Sequence, residues 1–532
     1  MKIAPFHFRP RRSVSMSLNG MVATSQSLAA LAGLRMLMRG GNAVDAAVAT
    51  AAALNVVEPT STGVGGDAFA LTYLARTGEV TALNASGRAP KAQTLDAMRR
   101  RGYATMPTHG GLAITVPGAV AGWADILKRH GTMPLADVLQ PAIELAEQGY
   151  PVTEVIAGHW KNLERRAAEF PTLARAYLID RHAPRPGEVF KNPALARTLR
   201  AVAEGGPDAF YRGPIAQSIV KVIQDNGGLM ALEDMAAHTS TWDDPIRTDY
   251  RGVTIVECPP NGQGIVALEM LNILEGFDLV SMGYGTPAYY HHLIEATKLA
   301  FVDAFAYVGD PRMTDVPIAG LIDKAYAAER RKSIHPRQAM SRVVPGKPQG
   351  GTAYLSVVDR DRNACSFINS NYMGFGSGLA AEGVALQNRG ALFSLEEGHP
   401  NYIAPGKRPY HTIIPALALK GGRLWMSFGV MGGFVQPQGH VQVACNMIDF
   451  GMNPQQALDA PRVVWYDGAT VDLEDGIADD VRSALVAIGH HLMTKDNPAR
   501  YYGGGQIVAI DEDSGALLGG TEPRKDGVAI GY

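Results

Sequence analysis

Thr352 is the residue whose chemistry can be read most directly. It follows Gly350-Gly351 and opens Ala353-Tyr354-Leu355-Ser356-Val357-Val358-Asp359, so a glycine pair meets a core strand at a threonine. The preceding run, Val343-Val344-Pro345-Gly346-Lys347-Pro348-Gln349, is rich in Pro and Gly and predicts no regular structure, whereas Tyr354 to Val358 predict a buried strand. That junction suits a chain that cuts itself between Gly351 and Thr352. The freed α-amino group of Thr352, with an ordinary pKa near ~8, would take the proton of its own hydroxyl and later return it to a leaving amine. Glycine at 351 gives the backbone the freedom that attack on its own carbonyl requires. An ordinary loop entering a strand is the alternative that these ten residues leave open.

The surroundings predict elements that would position such a residue. Met21 to Met38 predicts a helix through Leu28, Leu31, Leu34 and Met38, and Asn42 and Asp45 open a second, alanine-rich helix from Ala43 to Val56. A glycine-rich loop from Glu58 to Asp67 leads into a strand, Ala68 to Tyr73, and Thr81 to Ala85 predicts another. Pro259 to Gly264 forms a turn into the helix Ile265 to Leu274, and Tyr289 to Val308 is a long helix. Past Thr352 strands dominate, until Gly432-Gly433 introduces a helix from about Pro437 to Phe450. Helices mostly before the threonine and strands mostly after it predict two kinds of layer in one α+β body.

Composition narrows the function classes. The 532 residues carry 49 Lys and Arg against 51 Asp and Glu, a net charge of -2 with no basic run that would suit nucleic acid. No segment has eighteen consecutive apolar residues, and Arg9, Arg11 and Arg12 are not followed by a signal-peptide core, so no membrane partner and a cytoplasmic location are expected. Cys258, Cys365 and Cys445 are widely spaced and lack metal-ligand spacing, which predicts reduced thiols. His291 and Glu295 lack the second histidine of a zinc helix and predict a structural helix face, with no metal.

Stretches along nearly the whole chain, including Gly40-Gly41-Asn42-Ala43-Val44-Asp45, Val116-Pro117-Gly118, Asn226-Gly227-Gly228-Leu229, Gly309-Asp310-Pro311, Lys407-Arg408-Pro409, Ala460-Pro461-Arg462 and Gly531-Tyr532, resemble the γ-glutamyltransferase family of N-terminal-nucleophile hydrolases. The resemblance implies a four-layer αββα sandwich cut into a large subunit, residues 1–351, and a small one, 352–532. These would form a heterodimer within one body, with further dimerisation left open. It implies an acyl-enzyme on Thr352, an oxyanion hole at Gly432 and Gly433, a supporting hydroxyl at Ser370, a small-molecule amide as substrate and no cofactor.

The family's glutamate pocket is not retained. Ser86 stands at the place of the carboxylate-binding arginine, with Arg88 two residues later, and Leu392 at the place of the ammonium-binding aspartate. Tyr372 replaces an asparagine, and His411-Thr412 replace a serine pair. Leucine cannot pair a buried ammonium, a deficit of several kcal/mol. Arg88, Tyr372, Arg389, His411 and Thr412 are therefore the candidate substrate contacts, for an acyl group with a carboxylate and no ammonium. The pattern is closer to the cytoplasmic branch that includes oxamate amidohydrolase. Hydrolysis of γ-glutamyl amides and a non-catalytic binding role are the alternatives.

Overall fold

The computed structural model describes residues 12–341, 351–494, 496–497 and 501–532, and of Gly351–Ala353 it describes the backbone. The Val343–Gln349 run and Gly350 therefore lie outside the described residues, as does the Thr352 hydroxyl.

Two seven-stranded antiparallel sheets lie face to face. One runs Ser15–Ser17, Leu517–Thr521, Gly504–Ile510, Arg423–Met431, Ala416–Lys420, Val253–Glu257 and Ile246–Tyr250 from edge to edge. The other runs Val528–Gly531, Met21–Thr24, Gly351–Val358, Ala364–Tyr372, Asp67–Leu74, Glu79–Ala85 and Thr241–Asp243. Strand Gly351–Val358 shows why the sequence reads as an unbroken apolar run. Its side chains alternate, so Tyr354 and Val358 meet Val256, Leu417 and Val508 of the opposite sheet, while Leu355 and Val357 face helices. Each fully buried side chain of this kind contributes roughly 1.5–3 kcal/mol.

The outer helices complete four layers, αββα. Ser27–Met38 and Ala43–Val57 cover the sheet that contains Thr352, while Gly264–Leu274, Pro287–Tyr307 and Val435–Ile448 cover the other. Every residue of Ala43–Val57 is buried, and Asn42 and Asp45 form a reciprocal capping box at its start. Its alanines let a neighbour come close: a Cβ on Gly33 would stand 2.1 Å from Thr50 Oγ1, so that crossing admits only glycine.

One expectation is corrected. Met21–Thr24 is a strand and not the first turn of a helix, because Val22 and its neighbours pair with Gly351–Val358 on one side and Val528–Gly531 on the other. The expected bias of strands toward the second part holds, with 12 of the 21 described strands at or after residue 351, but the two large sheets draw evenly on both parts. Of the two large sheets, seven strands precede residue 351 and seven begin at or after it. Pieces such as Ile246–Tyr250 alternate buried and exposed residues and pair over long range, which local periodicity alone does not reveal. Among the described residues no helix is long and apolar enough to cross a membrane.

Candidate active site

The site forms where three strands of one sheet end together. Gly351 pairs with Tyr372, but Ala353 pairs with Asn369, so the neighbouring strand carries one extra residue and Ser370 and Asn371 stand opposite Thr352. A bulge of this kind re-aims side chains and is common beside active sites. On its far side Ser370 pairs with Asp67, the first residue of Asp67–Leu74. The expected nucleophile position, the expected supporting hydroxyl and a buried carboxylate thus lie in one row. Ser370 Oγ accepts the N–H of Tyr372 at 2.9 Å. Tyr372 then turns through φ 75°, a left-handed conformation that a bulky side chain adopts only at a cost, here of order 1–3 kcal/mol. The strained turn brings its ring over Arg389, whose Cζ lies 4.8 Å from the ring centroid.

Arg389 is fully buried in the 3-10 turn Arg389–Leu392. Its Nη1 donates to Thr412 Oγ1 at 2.7 Å, while among the described residues its Nε and Nη2 have no hydrogen-bond partner. The nearest carboxylate oxygen, Asp67 Oδ2, is 3.6 Å from Nε, beyond hydrogen-bond range. Asp67 is committed elsewhere. Oδ1 accepts Gly87 N–H at 2.9 Å, and Oδ2 accepts from His411 Nε2 at 3.0 Å. The tautomer of His411 follows from its other nitrogen, since Nδ1 faces the Ile413 N–H at 3.3 Å and must accept. His411 is therefore neutral: burial, then the Arg389 cation, push its pKa down to about 3 against the pull of Asp67. Burial also lowers Arg389 to about 10 and raises the Tyr372 phenol to about 12. The wall of the site holds a cation whose outer edge is unsatisfied, an anion already engaged and a neutral imidazole.

Opposite this wall, Gly432 and Gly433 link strand Arg423–Met431 to helix Val435–Ile448 with φ of 135° and 60°. Both conformations require glycine. Their carbonyls are taken, Gly432 O by Val435 N–H and Gly433 O by Gln436 N–H and by Gln263 Nε2 at 2.7 Å. No turn or loop carbonyl among the described residues accepts their own N–H groups. Two adjacent amides just before a helix N-terminus suit a developing negative charge. Gln263 also donates to the Thr412 carbonyl at 2.6 Å, tying the arginine wall to the glycine pair.

The candidates divide accordingly. Tyr372, Arg389, His411 and Thr412 converge, and Ser370 stands beside Thr352 in register. Arg88 does not join them: half-buried, it donates to the Thr239 carbonyl at 3.0 Å. Ser86 is spent on Asn84 Oδ1 at 2.7 Å. Asp67 and Gln263 went unrecognised in the sequence. Both lie in glycine-rich loops before an element, which was the available signal, but nothing local tells a linking carboxylate from a turn residue.

His291 and Glu295 meet His490, with candidate ligand atoms within 4.8 Å of one another. They form a closed knot. His291 Nε2 donates to the His335 carbonyl at 2.8 Å, Nδ1 faces His490 Nε2 at 2.9 Å, and Glu295 is 2.7 Å from the buried Lys298 ammonium. A divalent cation there would compete with a lysine already in place.

A sequence model of the gamma-glutamyltranspeptidase family matches residues 29–532. The chain is 42% identical over 523 residues to the glutathione hydrolase-like YwrD proenzyme of Bacillus subtilis, covering 96% of this chain and 98% of that one. It is 36% identical over 536 residues to the oxamate amidohydrolase proenzyme of Klebsiella pneumoniae, covering 98% and 100%. The crystal structure of cephalosporin acylase from Bacillus halodurans matches with a TM-score of 0.93 at 46% identity, over 100% of this chain and 99% of that one. By these matches, this chain is a hydrolase of the gamma-glutamyltranspeptidase family, within the N-terminal-nucleophile hydrolases.

Proposed function

We propose that the chain cuts itself between Gly351 and Thr352, and that Thr352 then hydrolyses a small amide whose acyl group bears a carboxylate and no ammonium, with oxamate as the type. One observation carries the substrate class. The unpartnered Nε and Nη2 of Arg389 form the edge with which arginine grips a carboxylate bidentately. Arg166 uses that same edge on Glu169 at 2.9 and 2.6 Å. The Arg389 edge, 3.6 Å from Asp67, has the geometry to take a ligand carboxylate, while Leu392 offers no acceptor for an α-ammonium. Relatives named as proenzymes, one of them an oxamate amidohydrolase, support both parts of the reading.

In this mechanism the Thr352 amine takes the hydroxyl proton as Oγ attacks the amide carbon. The carbonyl oxygen becomes an oxyanion between the N–H groups of Gly432 and Gly433, each worth roughly 3–4 kcal/mol. The ammonium returns its proton to the leaving nitrogen, and water repeats the sequence on the ester. Ser370 supports the nucleophile, and Tyr372 and Thr412 hold Arg389. Both large sheets take strands from 1–351 and from 352–532, so the halves would stay together without a covalent link. The three buried free cysteines fit a cytoplasmic location.

Oxamate, glutaryl p-nitroanilide and γ-glutamyl p-nitroanilide, each incubated with purified enzyme, test the proposal through release of ammonia or nitroaniline. Turnover of the first two, lost in Thr352→Ala, is expected. Efficient turnover of the γ-glutamyl compound alone would sink the substrate class.

A further inference from the structure

The glycine pair has a neighbour that acyl transfer itself does not use. Tyr501 lies against Gly432, so that a Cβ on this glycine would stand 2.8 Å from the tyrosine's Cε1 and 3.1 Å from Gly503 Cα. The approach is enforced from both directions. Gly503 comes so near that a Cβ on it would meet the Met431 carbonyl oxygen at 2.5 Å, and Arg462 Nη1 holds the Tyr502 carbonyl at 2.7 Å. Behind the ring lies Lys525, buried, with Nζ 5.5 Å from the ring centroid. Its stem packs on Gly504, where a Cβ would meet Lys525 Cε at 3.1 Å. Burial alone would lower this lysine's pKa, but Tyr501 and the Glu58 and Glu522 carboxylates outweigh it and keep the ammonium charged. Glu58 accepts from Ser25 and belongs to the other side of the Gly351–Thr352 bond.

We infer that Tyr501, clamped by Lys525, is a positioning residue for the oxyanion hole: its ring fixes the Gly432 peptide so that the amide faces the oxygen of the tetrahedral intermediate. The inference rests on reading Thr352 and the Gly432–Gly433 pair as the acyl-transfer machinery. Two consecutive glycines at positive φ have the widest conformational freedom of any dipeptide. Hydrogen-bond donors stabilise a transition state to the extent that they are already aimed at it. The surface that Gly432 cannot supply for itself comes from an aromatic ring.

The test uses p-nitrophenyl acetate, an activated ester whose hydrolysis reports nucleophile and oxyanion hole without demands on the acyl pocket. In the purified, processed enzyme, Tyr501→Leu is expected to lower kcat about 10- to 100-fold with KM within about twofold, a split that marks a transition-state interaction. Tyr501→Phe keeps the ring and should restore kcat to within about threefold, and Lys525→Met should fall between. Unchanged kcat in Tyr501→Leu, with Gly432→Ala inactive, overturns the positioning role and leaves the oxyanion reading intact. Full activity in Gly432→Ala overturns the oxyanion reading itself. Nitrophenol release by the wild type no faster than by Thr352→Ala removes the catalytic assignment altogether. Thermal unfolding of each variant separates these results from loss of the fold, since a purely structural tyrosine would lower the melting temperature without the kcat–KM split.

Discussion

Two buried arginine clusters in this molecule are built from the same residue types and satisfied differently. Arg462 and Arg524 meet Glu474 and Glu522. Arg462 Nη2 donates to Glu522 at 2.8 Å, Arg524 Nε to Glu474 at 2.5 Å, and the remaining N–H groups reach the carbonyls of Tyr502, Leu458 and Ala460. All three nitrogens of the Arg524 guanidinium and both Nη of Arg462 are met from within the protein. Arg389, buried as deeply, faces one carboxylate at 3.6 Å, and its Nε and Nη2 have no hydrogen-bond partner among the described residues. The two clusters differ in what meets the guanidinium: carboxylates at 2.5–2.8 Å around Arg462 and Arg524, and one carboxylate 3.6 Å from Arg389.

The largest way to break the comparison is to damage the complete cluster. Arg462→Met leaves the Tyr502 carbonyl without its donor and Glu522 with one arginine in place of two. Removing one partner of a buried ion pair costs about 3–5 kcal/mol. Chemical unfolding of the variant should show a loss of that size, with little change in KM for the protein that remains folded. A loss below about 1 kcal/mol would mean that the cluster is not structural in the sense argued.

Arg389→Met should give the reverse pattern. Hydrogen bonds to a charged group are worth about 1.5–3 kcal/mol each, so loss of the fork should lower kcat/KM on a carboxylate-bearing amide by roughly 100-fold. The melting temperature should fall by less than in Arg462→Met, because the cation exchanged for an apolar side chain has one hydrogen bond and a loose ion pair. Asp67 keeps two donors, Gly87 N–H and His411. Equal losses on p-nitrophenyl acetate and on the carboxylate-bearing amide would show that Arg389 acts on the fold and not on the acyl group.

What the sequence made legible follows from how local each cause is. Thr352 and the glycine pair stand out because the chemistry needs particular residues at the joint of a loop with a strand or helix. The four layers follow from family-like stretches spread along the chain. Asp67, by contrast, acts through Arg389 and His411, more than 300 residues away, and ends a glycine run that reads equally well as a turn. Arg88 was favoured for its closeness to a family position, yet a displacement of two residues sends its guanidinium to Thr239. Met21–Thr24 carries apolar residues on a spacing that prolongs the next helix, and only its partners on both sides make it a strand.

The smallest expected effect separates the clusters by pH. His411 in the folded protein has a pKa of about 3, below the ordinary 6.5, so the unfolded chain binds a proton that the folded one refuses. Its contribution to stability is whole above pH 6.5 and declines as pH falls toward 3, by up to ~1.4 kcal/mol per unit. Glu522 is shifted the other way for its type. Burial would raise it, but Arg462 and Arg524 outweigh burial and hold the carboxyl below its usual range. Its contribution is present above the unfolded value of about 4.3 and is lost only as pH falls through the lower folded one. Between pH 6.5 and 5 the candidate site therefore weakens while the arginine–glutamate cluster does not. Urea unfolding across that window should give a steeper decline for the wild type than for His411→Gln, which can still donate to Asp67 and takes up no proton. The two lines should converge toward the acid end and differ in slope by at most one proton. Parallel lines would mean that His411 titrates normally when folded, and that the imidazole is not the neutral member of the wall that holds Arg389.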